Sequence, residues 1–207
     1  MLRTLLDRKL VTPSAPILWM IIARQVGSCD NAGMNQNAND GNSDKKIVWE
    51  GDYIRAVTRG RWEYVERKNI TGIVGIVPVT DDGKLVLVQQ HRPAVGGAVI
   101  ELPAGLAGDI EDQRDELMET AATRELIEET GYRAGKMTRV CHGVASAGIT
   151  SEGMTFFLAT ELEKVGPGGG DESEDIIVHE VPLDQTPAYL DDCSERGMAI
   201  DLKIYAG

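Results

Sequence analysis

The most informative segment of the chain is Arg124-Glu125-Leu126-Ile127-Glu128-Glu129-Thr130-Gly131-Tyr132. On a helix, at about 100° per residue, its three glutamates fall within an arc of roughly 100°. Met118 and two alanines fall on the same side, which is the side expected to face the protein body. Burying three like charges together is costly unless a cation lies among them. The segment therefore predicts a helix with a metal site, with a solvated acidic helix face as the alternative.

The residues upstream favour the metal interpretation. Glu101-Leu102-Pro103-Ala104-Gly105 comes first, and Glu116 follows with seven residues between it and Arg124. With these residues the chain resembles the Nudix hydrolases, whose signature is G-x5-E-x7-R-E-aliphatic-x-E-E-x-G-aliphatic. Ten residues instead of five separate Gly105 from Glu116. We interpret the difference as an insertion in the loop 107–115 that leaves the metal-binding half of the signature intact.

Composition limits the partners. The chain has 207 residues, 42% of them hydrophobic, and a net charge of −12. This size and composition suit one domain with short additions, and no stretch is long enough to span a membrane. The acidic balance argues against nucleic-acid binding, but a bound metal would still permit a phosphorylated small substrate. Three scattered cysteines without CxxC spacing favour reduced thiols in a cytoplasmic protein.

The first 46 residues are expected to lie outside the domain. Residues 1–30 form an N-terminal extension with basic residues ahead of a short apolar run, 17–23. That run resembles a signal peptide, but Arg24 and Gln25 interrupt it before Cys29, so we favour a cytoplasmic location over export. Residues 31–46 are rich in Asn, Asp and Gly and predict a disordered linker.

The globular domain is expected over 47–207, with N-terminal antiparallel strands in 47–68 and the catalytic core in 69–207. Alternating and β-branched segments predict the strands, which are expected at 53–57, 61–67, 72–79, 85–90, 99–102, 137–143, 154–160 and 176–181, and a final helix is expected at 184–197. The first two strands form a hairpin, and Gly131 is placed to cap the central helix. This order predicts an α/β fold, the α/β/α sandwich with a mixed sheet that the Nudix resemblance implies.

Residues outside the signature narrow the resemblance to ADP-ribose pyrophosphatases and related nucleotide-sugar hydrolases. They are Trp62-Glu63-x-Val65-x-Arg67, Gln90-His91-Arg92-Pro93, Glu101–Gly105 and Gly170–Ile176. The resemblance implies that Trp62, Glu63, Arg67 and Arg92 bind substrate. Trp62 would stack on the nucleobase, and the two arginines would hold the diphosphate through paired donors. The alternatives are a core tryptophan and arginines that form surface ion pairs.

The resemblance also implies the metal site and the reaction. Its metal ligands are Glu125, Glu128, Glu129 and the carbonyl of Ala104, and Mg²⁺ is the expected ion, with Mn²⁺ possible. Arg124 is expected to anchor the helix to its loop. The expected reaction splits ADP-ribose or a related nucleoside-diphosphate sugar into a nucleoside monophosphate and a sugar phosphate.

The general base is expected on a glycine-rich loop. Glu172 and Glu174 follow Gly168-Gly169-Gly170, and residues two apart in an extended segment point to the same side. Glycines suggest a mobile loop that swings in once substrate is bound. The resemblance makes one of the two glutamates the base without deciding which, and Glu152 is the next candidate. An acidic solvated turn is the alternative.

Two other functions stay open at this point. One is a catalytically silent Nudix domain that senses a nucleotide, although such domains usually lose signature carboxylates and this chain keeps them all. The other is an RNA-processing pyrophosphatase, which the acidic charge disfavours. The resemblance further implies a homodimer that exchanges N-terminal strands, so that the tryptophan of one subunit serves the site of the other.

Overall fold

The structure is a computed structural model that describes residues 44–110, 115–170 and 174–207. The predicted extension 1–30, most of the predicted linker 31–46 and Glu172 lie outside the described residues. The elements, in chain order, are β1 Lys45–Glu50, β2 Ile54–Arg59, β3 Trp62–Arg67, β4 Gly72–Pro78, β5 Lys84–Arg92, β6 Gly97–Glu101, β7 Ala104–Ala107, α1 Met118–Thr130, β8 Tyr132–Val144, β9 Gly153–Lys164, β10 Ile177–Pro182, α2 Thr186–Glu195, β11 Ala199–Ile200 and α3 Lys203–Ala206.

These strands form three sheets. The N-terminal strands pair in the order β1-β2-β3, all antiparallel, so the predicted hairpin of β2 and β3 is confirmed. The other two sheets have four strands each, in the orders β10-β5-β6-β11 and β7-β4-β9-β8. Both are mixed, because β11 runs parallel to β6 and β4 runs parallel to β9 while the remaining pairs are antiparallel.

Alternate side chains of β4, β5 and β9 enter two separate cores, as the two-residue period of a strand requires. The first core also holds side chains of α2, and includes Ile73, Leu85, Leu87, Phe156, Leu190 and Cys193. The second core holds side chains of α1, and includes Val74, Ile76, Val86, Phe157, Ala121, Ala122 and Leu126. A helix thus covers each side of these strands, and the predicted α/β fold is confirmed. In the described part of the chain, no helix has the length and apolarity needed to cross a membrane.

Helix α1 begins after Leu117 and ends where it was expected to end. Gly131 adopts a left-handed φ of 71°, and its N–H donates to the Ile127 carbonyl. The Lys164 ammonium also donates to the Thr130 carbonyl at 2.8 Å. Both contacts satisfy carbonyls that lack a partner within the helix, and the lysine charge complements the helix dipole.

Several element boundaries differ from the prediction. β1 begins at Lys45, so the last two residues of the predicted linker are part of a strand. The Pro103-Ala104-Gly105 segment was expected to form a tight turn, but Ala104–Ala107 forms the short strand β7 against β4. The sequence Ala-Gly-Leu-Ala has little intrinsic strand preference, and pairing with a buried neighbour decides its conformation. β11 and α3 were not predicted.

Candidate active site

The glutamates of α1 gather around one arginine and one short strand. Arg124 Nη1 donates to Glu125 Oε1 at 2.9 Å and to Glu128 Oε2 at 3.1 Å. Glu129 instead lies against β7, where the Ala104 N–H donates to its Oε2 at 3.2 Å. The three carboxylates and Ala104 line the same cleft. The structure thus brings together all four residues expected to ligate a metal.

Glu129 is a buried carboxylate whose negative charge is only weakly stabilised by its neighbours. Its exposed fraction is 3%. Burial raises its pKa to about 9, and the nearby charge of Glu125 acts in the same direction, while the Ala104 N–H opposes them. A carboxyl in this environment favours protonation unless a cation approaches it. The pKa therefore marks a place where the fold is short of positive charge.

Glu125 packs directly on the backbone of β7. A Cβ placed on Gly105 would lie 1.9 Å from the Glu125 carboxyl carbon, so a side chain at 105 and the observed Glu125 position exclude each other. Burial raises the pKa of Glu125 to about 7, with Arg124 lowering it and Glu128 raising it. Gly105 is required here because two elements approach closely.

Arg124 anchors α1 to its preceding loop, as expected. Its Nη2 donates to the Leu106 carbonyl at 2.9 Å, and its Nε donates to Glu116 Oε1 at 3.3 Å. The Gly108 N–H donates to the other oxygen of Glu116, also at 3.3 Å. The two ends of the lengthened loop are therefore joined to each other and to the helix, which explains how the insertion leaves the carboxylates in place.

Arg92 is held by a buried glutamate across the cleft. Its Nε and Nη2 donate to the two oxygens of Glu101, both at 2.7 Å. Glu101 has an exposed fraction of 3%. Glu101, Glu129 and Glu174 all favour the charged guanidinium and raise the pKa of Arg92, with the bonds to Glu101 contributing most. This bidentate pair fixes the orientation of Arg92.

Arg67 is held in a similar way from another element. Its Nε donates to Glu152 Oε1 at 2.7 Å. The loop that carries Glu152 is itself attached to β3, because the Val65 N–H donates to the Ile149 carbonyl at 2.8 Å and the Ser151 N–H donates to the Val65 carbonyl at 3.2 Å. Glu152, our alternative base, is thus the ion-pair partner of Arg67.

These groups line one cleft of about 660 Å³. Carboxylates of α1 and the two arginines face the same space, and Glu174 lines it as well. Of the two candidate bases, Glu174 therefore lies at the site, whereas Glu172 lies outside the described residues.

Trp62 and Glu63 are not among the residues that line this cleft. Both are exposed, and Trp62 stands at the far end of β3, five residues from Arg67, or roughly 16 Å along a strand. The Arg61 guanidinium lies 5.5 Å from the centre of the Trp62 ring. The alternative of a core tryptophan is wrong, since 60% of Trp62 is exposed.

The residues that line the cleft but were not predicted as site residues include Glu101, Asp201 and Lys203. Glu101 belongs to the Glu-Leu-Pro-Ala-Gly motif, which offered a signal, although its pairing with Arg92 depends on the register of β5 and β6. Asp201 and Lys203 reach the cleft through β11, which pairs with β6. No local pattern identifies them, because their position depends on contacts formed across the whole domain.

The donor set fits a hard divalent cation. Three carboxylates and a backbone carbonyl are oxygen ligands of the kind that Mg²⁺ and Mn²⁺ take, and the raised pKa of Glu129 marks the missing positive charge. In the described ranges, no three His, Cys, Asp or Glu side chains are already arranged as a metal site. Here Glu125 and Glu128 form ion pairs with the Arg124 guanidinium.

Comparison with known proteins agrees with this geometry. The chain is 38% identical to the ADP-ribose pyrophosphatase of Bacillus subtilis (strain 168) over 114 residues, which is 55% of this chain and 59% of the relative. The chain thus spans less than two thirds of that relative's length. It is 32% identical to the GDP-mannose pyrophosphatase of Citrobacter koseri over 142 residues, which is 65% of this chain and 70% of the relative.

A solved structure supports the fold. The crystal structure of an ADP compounds hydrolase superposes with a TM-score of 0.56 at 23% identity, covering 72% of this chain and 80% of that one. At that identity the likeness concerns the fold alone. The NUDIX domain family matches residues 70–198, which is more than half of the chain and includes α1, β7 and Arg92. Together with the signature residues in α1, this match shows that the chain belongs to the Nudix family.

Proposed function

We propose that the chain hydrolyses the diphosphate bond of ADP-ribose or a related nucleoside-diphosphate sugar, giving a nucleoside monophosphate and a sugar phosphate. The names of two relatives, an ADP-ribose pyrophosphatase and a GDP-mannose pyrophosphatase, support this substrate class. The observation that carries the proposal is one cleft that contains three α1 carboxylates together with Arg67 and Arg92. Such a site combines a place for a cation with donors for phosphate oxygens.

The arginines would bind the diphosphate. A guanidinium has five N–H donors, and Glu101 accepts two of those of Arg92. The remaining donors suit a second, bidentate contact with phosphate oxygens. Arg67, held through its Nε by Glu152, keeps its Nη donors for the same purpose. Both pairs reduce the freedom that each arginine would lose when substrate binds.

Glu125, Glu128, Glu129 and the Ala104 carbonyl would hold Mg²⁺, with Mn²⁺ as the alternative. Such an ion, when bound, neutralises the diphosphate and acidifies water. Arg124 Nη1 would have to release Glu125 and Glu128, while its bonds to Leu106 and Glu116 keep α1 in place. Glu174, or Glu172, would accept the proton of the attacking water.

We also propose that the protein is a cytoplasmic homodimer. The N-terminal sheet supports the dimer, because it exposes large apolar side chains, among them Val48, Trp49, Tyr53 and Trp62. In a dimer that exchanges these strands, Trp62 would stack on the nucleobase at the partner's cleft, with Glu63 beside it. The cytoplasmic location stays a prediction from the scattered cysteines.

A substrate panel tests the proposal. Purified protein is given ADP-ribose, GDP-mannose, UDP-glucose and nucleoside triphosphates, each with Mg²⁺ or with excess chelator, and the phosphate-containing products are identified. We expect cleavage of at least one diphosphate sugar, dependent on the divalent ion. Full activity in chelator, or preference for triphosphates over every diphosphate sugar, would contradict the proposal.

A further inference from the structure

The loop that follows β9 wraps around the C-terminal end of α1. The Gly169 N–H donates to the Glu129 carbonyl at 2.9 Å, and the Gly170 N–H donates to the Glu128 carbonyl at 3.1 Å. The last carbonyls of a helix have no partner within the helix, so the loop acts as a cap. The capped carbonyls belong to two of the glutamates whose side chains line the cleft.

This contact is too close for any side chain in its centre. A Cβ on Gly168 would lie 2.4 Å from the carbonyl carbon of Thr130, and Gly168 has a φ of +71°. The two residues that follow it also have positive φ, with +112° at Gly169 and +81° at Gly170. These angles and this distance explain the run of glycines, since an L side chain would be strained or would clash.

The same loop sets the position of Glu174. The Ile176 N–H donates to the Gly169 carbonyl at 3.2 Å and closes the loop. A Cβ on Gly170 would lie 2.5 Å from Glu174 Oε2 and 2.7 Å from Glu174 Cβ. Glu174 therefore packs on the bare α-carbon of Gly170. Gly169 therefore forms two backbone hydrogen bonds, one from its N–H to the Glu129 carbonyl and one from the Ile176 N–H to its own carbonyl. These two bonds connect Glu129 to Ile176.

We propose that Gly168–Gly170 is a positioning element that holds Glu174 at a fixed place relative to Glu128 and Glu129. The mobility of this loop stays a prediction, and the described contacts give the glycines a second reason, since each position calls for glycine because of close approach or positive φ. The glycines carry no group that could react, and they act through Glu174. The functional half of this inference rests on the proposed hydrolysis, in which Glu174 accepts a proton.

Three alanine variants of the full chain separate the effects of clash, strain and composition. Gly168→Ala introduces both the clash with Thr130 and a strained φ. Gly169→Ala introduces strain alone, because the nearest atom to its Cβ, the Ile176 carbonyl oxygen, is 3.9 Å away. Gly166→Ala is the matched control, since nothing lies within 4 Å of its Cβ and its φ is not positive.

The first measurement is amide hydrogen exchange without substrate, resolved by residue. In the wild type and in Gly166→Ala, we expect the Gly169 and Gly170 amides to be protected by their bonds to α1. In Gly168→Ala they should exchange about tenfold faster or more, because the cap opens locally. Equal protection in all variants would overturn the inference, whether or not the protein hydrolyses nucleotide sugars.

The second measurement is kinetic and uses a double-mutant cycle with Glu174→Gln. Displacing a reacting group by about 1 Å can cost up to about a hundredfold, so we expect Gly168→Ala to lower kcat by about 10- to 100-fold with KM little changed. Gly169→Ala should fall between Gly168→Ala and the control. In the Glu174→Gln background the effect of Gly168→Ala should vanish, because the element has no base left to position.

Additive losses in the cycle would overturn the inference, since they would mean that the loop supports the fold without acting through Glu174. Full kcat in Gly168→Ala, despite faster exchange, would overturn it as well. If Gly168→Ala does not fold, the cycle is run with Gly169→Ala, which carries no clash. Absence of any hydrolysis by the wild type would contradict the proposed function instead, and the exchange experiment would still test the cap.

Discussion

At the scale of a single residue, Glu129 is a carboxyl group that is buried and lies near the negative charge of Glu125. It is 3% exposed, and the charge of Glu125 adds to the cost of ionising it. The Ala104 N–H is a modest compensation at 3.2 Å. Carboxylates in a cleft whose pKa is strongly perturbed by burial and by a charged neighbour are candidates for function, because functional sites are where such perturbed groups cluster. A bound cation would make the ionised form favourable.

The first prediction is that Glu129→Gln removes most of kcat while the protein stays folded. Metal stabilisation of charge contributes several kcal/mol, so loss of one ligand should cost about a hundredfold or more. Activity is measured at saturating Mg²⁺, with Glu119→Gln, an exposed position on the same helix, as the control. A kcat within about threefold of the wild type would mean that Glu129 does not serve the metal.

The second prediction concerns pH and the chelated protein. The folded-state pKa of Glu129, about 9, lies above its ordinary value of 4.5. The folded state therefore binds more protons than the unfolded state between these values, and this group lowers the free energy of unfolding as pH rises through that window. With chelator present, Glu129→Gln should be more stable than wild type at pH 8 and lose that advantage near pH 4. The prediction is checked by measuring the denaturant midpoints of Glu129→Gln and of the wild type at the two pH values. The same difference between the two proteins at both pH values would contradict it.

The third prediction tests the bidentate ion pair between Arg92 and Glu101. In Glu101→Gln the amide offers one acceptor, but its NH₂ faces a guanidinium N–H, so one of the two 2.7 Å bonds is lost. We expect KM to rise about tenfold, equivalent to ~1.4 kcal/mol of binding, with a smaller change in kcat. The exposed Glu195→Gln serves as control. An unchanged KM would show that Arg92 does not need Glu101 to bind substrate.

At the scale of elements, local spacing predicted α1 because a helix repeats every 3.6 residues and its carboxylates, caps and small residues lie close in sequence. The same reasoning could not predict β7. Ala104–Ala107 is a strand because Gly75 and its neighbours in β4 pair with it. Nor could it predict the Arg92–Glu101 ion pair, which depends on the register of β5 and β6. The position of Asp201 in the cleft was equally unpredictable, because it depends on the pairing of β11 with β6.

The fourth prediction addresses the contact between β7 and α1. In Gly105→Ala the new Cβ would meet the Glu125 carboxyl group at 1.9–2.0 Å, so the carboxylate must move or the elements must separate. We expect weaker Mg²⁺ binding by about tenfold or more, because a metal site tolerates little displacement of a ligand. Gly143→Ala, whose Cβ would have nothing within 4 Å, is the control strand variant. Equal Mg²⁺ affinity in a titration would contradict the prediction.

At the scale of the whole molecule, the N-terminal sheet contrasts with the other two. Those two sheets bury side chains in the cores beneath α1 and α2. All six residues of β1 are exposed instead, including Ile47, Val48 and Trp49. A sheet that exposes adjacent large apolar side chains is typical of a contact surface. The sequence predicted β2 and β3 but neither β1 nor the exposure of the sheet, because an alternating pattern does not reveal what covers each face.

The last prediction is that this sheet forms the dimer contact. Trp49→Glu places a charge on the exposed apolar surface, and burying an unpaired charge in an interface is costly. We expect a dimer for the wild type and a monomer for Trp49→Glu by light scattering. Because Trp62 would then be absent from the partner's cleft, KM for the best nucleotide sugar should rise about tenfold or more. Leu183→Glu, an exposed apolar position after β10, controls for the added charge. A dimeric Trp49→Glu with unchanged KM would place the contact elsewhere.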